Sequence, residues 1–314
     1  MKTASRGGRR KAEGGSGAPV PNGVADHPIP PTPGARRPTP SSLRRRVTAT
    51  IARQEIRDAV FGWPLYLTAA VGVLIGTLLV YNVLQAVGES GLQIVGRPLY
   101  GSVVVVASLA AVFLMGWAAL SIARSRDQGA LRVLFFAPVD AVSLLAAHAL
   151  AALAMYALLM LLTVPALALL AWLVNLPFSP LLLLGVLVSP AFVAPAVGIG
   201  LFLSAIAGTA RGAMFTFGVV VVVALAIQFG YTALVQSPPD SPYYDALLFL
   251  RDVLRTARDA LRWISPLALV GEGLDAALRA NWRELGRYVI AGFAGGAVWL
   301  ALAGWALRRR GVLP

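Results

Sequence analysis

The chain has 314 residues, 58% of them hydrophobic and 13% charged, with a mean hydropathy of +0.73 and no cysteine. An average soluble domain is about a quarter charged. A water-soluble globule could not hide this much apolar surface, so composition excludes an ordinary soluble enzyme and a disordered protein and points to a polytopic membrane protein. The net charge is +13, and much of it sits in residues 1–46, where Lys2, Arg6, Arg9, Arg10, Lys11, Arg36, Arg37, Arg44, Arg45 and Arg46 stand against Glu13 and Asp26.

In chain order, residues 1–46 come first. The first 40 hold eight prolines and seven glycines and few large apolar side chains. They cannot bury enough surface to offset chain entropy, and a disordered basic tail is expected. An apolar core and a cleavage site are missing, so a signal peptide is not expected. A basic arm beside membrane spans sets topology or touches anionic lipid more readily than it binds nucleic acid.

A helix is expected next, over 47–63. Ala52, Ile56, Ala59, Val60 and Trp63 fall on one face and Arg53, Gln54 and Arg57 on the other. This pattern predicts an amphipathic helix lying on the membrane surface and turning into the first span at Pro64.

Six stretches then reach the ~20 apolar residues that a spanning helix needs. They run over 64–87, 98–122, 141–173, 182–206, 212–236 and 288–307. The third contains Pro165 and is expected to kink or tilt. The fourth, with Pro190, Pro195, Gly198 and Gly200, is the least expected to be straight.

An even number of spans puts both termini on one side. Arg44, Arg45, Arg46, Arg53 and Arg57 precede the first span, and Arg124, Arg126 and Arg132 occupy the loop 123–138. Arg211 precedes the fifth span, and Arg308, Arg309 and Arg310 follow the sixth. The loop 88–97 has only Arg97, and 174–181 has no basic residue. The positive-inside rule places the tail, the arginine-bearing loops and both termini in the cytoplasm. The long segment 237–287 is then external. Within it Leu247, Leu250, Leu254, Ala257, Leu261 and Ile264 recur at helical spacing, predicting an external helix ended by Ser265-Pro266.

Chemistry-bearing residues are few. The two lysines, Lys2 and Lys11, lie in the tail, so no glycine-rich loop ends in the lysine that must reach ATP phosphates. The chain is not expected to be an enzyme, nor to hold a metal or cofactor of its own. The six stretches contain no acidic or basic side chain except His148. It reads either as a proton relay or, more simply, as a packing histidine bonded to a neighbouring helix. Ser189 and Ser204 have no base to activate them and read as packing residues. In the loop 123–138, Asp127 could cap a short helix through Ala130, Leu131 and Val133, with Leu131, Leu134 and Phe135 apolar and Pro138 breaking it. Such a helix could enter a cleft on a cytoplasmic partner, or be a plain turn at the interface.

The segment R-D-Q-G-A-L-R-V-L-F-F-A-P-V (Arg126–Val139) resembles the cytoplasmic loop of type-2 ABC exporter permeases, and R-Q-E-I-R (Arg53–Arg57) looks like their elbow helix. The chain departs from the family pattern at Arg132, where an acidic residue is frequent, and at Ala130, where threonine is frequent. The resemblance implies an all-α, six-span permease domain over 47–314 with an elbow helix and an external helix between spans five and six. It implies a prokaryotic plasma-membrane exporter that pairs with a second permease subunit and with separate ATP-binding subunits, which carry the ATP and Mg. It also implies alternating access. The ATPase-coupling loop would comprise Arg126, Asp127, Gln128, Gly129, Ala130, Leu131 and Pro138, and the elbow would carry Glu55 and Arg57. Two other readings stay open from the residues alone: an ion-coupled transporter or channel using the Gly/Pro-interrupted spans, and a non-transporting scaffold whose tail recruits lipid or protein.

Overall fold

Pro40 opens the first helix of a computed structural model that describes residues 40–90, 98–129, 140–176, 178–235, 249–256 and 265–309. Among these residues every regular element is an α-helix. The order is α1 (Pro40–Val60), α2 (Trp63–Ser90), α3 (Pro98–Asp127), α4 (Ala141–Leu173), α5 (Pro180–Ile206), α6 (Ala210–Val235), α7 (Pro266–Leu278) and α8 (Trp282–Arg309). Residues 249–256 are also helical. Six helices, α2 to α6 and α8, are long and apolar enough to cross a membrane. Together they make an all-helical, multi-pass integral membrane protein.

Several boundaries differ from the sequence expectation. The helix expected over 47–63 starts at Pro40 and ends at Val60. The second span continues to Asp127, the fourth starts at Pro180, the fifth at Ala210 and the sixth at Trp282. Hydropathy marks only the lipid-facing middle of a span, whereas helical hydrogen bonding runs on into the charged ends. Ser265-Pro266, read as ending the helix before it, opens α7, with Pro266 at the first helical turn, where its missing N–H costs no hydrogen bond. The expectations for residues 1–39, for 130–139 and for most of the helix at 247–264 lie outside the described residues.

α5 is the core of the bundle. Its most extensive packing is with α8, followed by α3 and α7. Of the most apolar 18 residues of α3 and of α5, 56% are buried, against 6% for α6 at the edge. Glycine permits the closest crossings. A Cβ on Gly292 of α8 would lie 2.2 Å from the Ala191 carbonyl oxygen, and one on Gly200 of α5 would lie 2.3 Å from that of Met115 in α3. Gly292 and Gly296 form the small-xxx-small spacing by which helices approach in lipid, where dispersion and weak Cα–H···O contacts replace the hydrophobic effect.

The prolines of α5 fit the same scheme. Pro190 cannot donate to the Val186 carbonyl, and Pro195 cannot donate to that of Ala191, each four residues earlier. Ser189 Oγ donates to the Val186 carbonyl at 2.6 Å, and the fully buried Tyr156 of α4 donates its hydroxyl to Ser189 Oγ at 2.8 Å. The Ala191 carbonyl is the atom that meets Gly292. In a medium without water, freed carbonyls need such partners. The helix α4 runs unbroken through Pro165.

Candidate functional site

Side-chain contacts sort the helix ends into two groups. At one end lie the C-termini of α3, α5 and α8, the N-termini of α4 and α6, and the helix α1. At the other lie the C-terminus of α4, the N-terminus of α5 and the α7–α8 turn. The first group carries Arg45, Arg46, Arg53, Arg57, Arg124, Arg126, Arg211, Arg308 and Arg309 against Glu55, Asp58, Asp127 and Asp140. At the α7–α8 turn, Arg279, Arg283 and Arg287 are balanced by Glu272, Asp275 and Glu284. Exposed tryptophans mark both levels: Trp63 and Trp305 near the basic end, Trp172 and Trp282 near the other. The Arg309 guanidinium stacks 4.2 Å above the Trp305 ring.

At the basic end, consecutive residues of α3 grip two neighbouring helix termini. Asp127 Oδ2 accepts the backbone N–H of Ala210, the first residue of α6, at 2.9 Å. A carboxylate there fills one of the orphan donors of the helix N-terminus and meets the positive end of its dipole. Arg126 Nη1 donates to the carbonyl of Ala207, the C-cap of α5, where a cation is favoured for the opposite reason. One turn earlier, the buried Ser204 hydroxyl of α5 accepts the Ala123 N–H at 3.0 Å. The end of α3 and the α5–α6 turn are thereby fastened to each other.

This geometry revises the expected coupling loop. Arg126 and Asp127 are the last two residues of a spanning helix rather than members of a loop. Asp127 holds the first backbone N–H of α6; the short helix expected through Ala130, Leu131 and Val133 lies outside the described residues. Gln128 and Gly129 form the turn that follows, with Gln128 N–H bonded to the Arg124 carbonyl and Gly129 N–H to that of Arg126, each at 3.0 Å. Gly129 has φ +70°, a left-handed conformation that ends the helix and suits glycine. Ala130, Leu131 and Pro138 lie outside the described residues.

The expected elbow residues part company. Arg57 is exposed, whereas Glu55 turns inward and places Oε1 2.5 Å from Nδ1 of the buried His148 in α4. The two atoms meet without the alignment of a directed hydrogen bond, so the contact is an ion pair when the imidazole is protonated. Ala52 packs against Ala147 and Ala151, flanked by Ile51 and Ile56. The apolar face of α1 therefore packs against α4. The neighbour expected for His148 is a carboxylate of α1, which lies outside the spans.

At the opposite end, α7 tucks into the bundle. Leu274 and Ala277 lie beside Gly185 of α5, and Gly273 faces the ring of the buried Phe192. The Tyr100 hydroxyl donates to the Gly271 carbonyl and the Tyr288 hydroxyl to Glu272 Oε2, both at 3.0 Å. Part of the segment read as external is thus packed against α3, α5 and α8. Its apolar spacing, Leu267, Val270, Leu274 and Ala277, was the overlooked sign. Among the described residues no three histidine, aspartate or glutamate side chains converge on a position that could hold a metal ion.

Compared with models of known protein families and with curated proteins, the chain matches none.

Proposed function

We propose that the chain is the membrane subunit of a type-2 ABC exporter, moved between inward- and outward-facing states by separate ATP-binding subunits. The observation that carries this reading is the grip of Arg126 and Asp127 on the α5–α6 turn. A force applied to the segment after Gly129 would reach α5, at the core of the bundle, through hydrogen bonds rather than through a slack loop. The charge difference between the two ends supports a cytoplasmic basic end, where an ATPase would stand. The chain lacks the lysine-bearing phosphate loop of an ATPase, so ATP and Mg belong to the partner. A second permease subunit completes the pathway, and the membrane is the prokaryotic plasma membrane.

The test is purification from native membranes in mild detergent, followed by ATPase assay with and without the co-purifying polypeptides. A P-loop protein in stoichiometric amount is expected, with ATP hydrolysis lost on its removal. Charge reversal at Asp127 or a bulky side chain at Gly129 should lower coupled hydrolysis while leaving the fold intact. ATP hydrolysis by the single chain would overturn the proposal.

The Glu55–His148 pair favours one second reading, a proton-coupled transporter. Flux driven by a pH gradient through the single chain, lost in His148→Ala, would support it.

A further inference from the structure

With one side of α1 covered by α4, the rest of its surface is polar and basic. Arg46, Arg53 and Arg57 are all exposed. At 3.6 residues per turn they fall within about 40° of one another, opposite the buried Ala52 and Ala59. Thr50 and Gln54 flank this stripe, Asp58 lies at its edge, and Glu55 is turned toward His148. Among the described residues, Thr50, Arg53, Gln54, Arg57 and Asp58 line an open hollow of about 650 Å³. One turn further, the Arg57 guanidinium lies 5.9 Å from the centre of the Phe61 ring. Phe61 is 80% exposed and Trp63 72%, and Trp63 is the first residue of α2, the first spanning helix.

We infer that this face of α1 binds the headgroups of anionic phospholipids, with Arg46, Arg53 and Arg57 on the phosphates and with Phe61 and Trp63 seated at the level of the polar–apolar boundary. Guanidinium groups meet phosphate through paired, charge-assisted hydrogen bonds. Exposed aromatic side chains at the start of a span favour headgroup depth, and they fix the stripe beside lipid rather than in open solvent. A soluble polyanion would satisfy the arginines but not the two aromatic residues. Because the apolar side of α1 is already covered by protein, binding depends on charge rather than on insertion. It is therefore sensitive to salt and selective for acidic lipid. The inference needs only a membrane protein and is independent of any transport activity.

The experiment uses the full chain in nanodiscs of phosphatidylcholine containing a minority of phosphatidylglycerol. Association of spin-labelled phosphatidylglycerol is compared with that of spin-labelled phosphatidylcholine. Enrichment of the acidic label at low salt is expected, with collapse in molar salt. Each arginine-to-glutamine change should weaken it by about fivefold. The triple lysine variant (Arg46→Lys, Arg53→Lys, Arg57→Lys) should retain most of it. If the triple glutamine variant does not fold, Arg57→Gln alone carries the test. Equal association of the two lipids, or enrichment untouched by the glutamine variants, would overturn the inference. So would displacement of the label by millimolar inorganic phosphate, which would assign the stripe to soluble anions.

Discussion

Ser189 shows how a single hydroxyl keeps a proline acceptable in a membrane helix. It supplies the donor that Pro190 withholds from Val186, and Tyr156 supplies the donor that Ser189 has given away. The two residues are not equivalent. Ser189→Ala strands both the Val186 carbonyl and the Tyr156 hydroxyl and should cost about 1–2 kcal/mol. Tyr156→Phe leaves the Ser189–Val186 bond in place and should cost under about 1 kcal/mol. Reversible unfolding in mixed detergent micelles measures both, and equal costs would contradict the relay. Asp127 is a second such case. An asparagine side-chain oxygen can accept the Ala210 N–H as the aspartate does, whereas alanine leaves that donor without its partner, at about 1 kcal/mol. Hydrogen exchange at Ala210 should therefore speed up several-fold in Asp127→Ala and change little in Asp127→Asn. The reverse order would mean that charge, not capping, holds the α5–α6 turn.

Elements meet where small residues let them. Gly292→Val places carbon atoms where the Ala191 carbonyl oxygen already lies within 2.2 Å of an ideal Cβ. Backbone cannot yield as a flexible side chain can, so α8 and α5 should separate. The expected result is loss of a monodisperse species on gel filtration. Gly286→Ala, on the same helix with nothing within 4 Å of the added atom, should leave the profile unchanged. The helix α1 illustrates the converse. Its pattern was legible as a stripe of Ala and Ile opposite arginine, but periodicity says only that a face is covered. It does not say whether lipid or protein covers it. The complementary surface, Ala147 and Ala151 with His148 between them, comes from about 90 residues along the chain and is invisible to any local window.

The whole molecule is organised by charge as much as by hydropathy. Arginine gathers at one end of the bundle, and the α7–α8 turn at the other end is balanced. The absence of cysteine makes the orientation directly measurable. Arg279→Cys replaces a side chain that is 66% exposed on the α7–α8 turn. Gly208→Cys lies on the α5–α6 turn with open space around it. On intact cells a membrane-impermeant maleimide should label the first and not the second, and the opposite pattern would invert the topology.

The helices that cross the membrane could be counted from the sequence because a spanning helix must be about 20 residues long and apolar throughout, a requirement met residue by residue without reference to partners. The charge bias was readable for the same reason. Side-chain pairing across helices was not. The attachment of Asp127 to α6, the pairing of Glu55 with His148, the burial of α7 and the use of Ser189 beneath Pro190 depend on which helices become neighbours. In lipid, where apolar faces are nearly interchangeable, that choice rests on close glycine crossings and on polar groups that must find partners. Composition alone put the chain in the membrane; packing decided what each of its few polar groups holds.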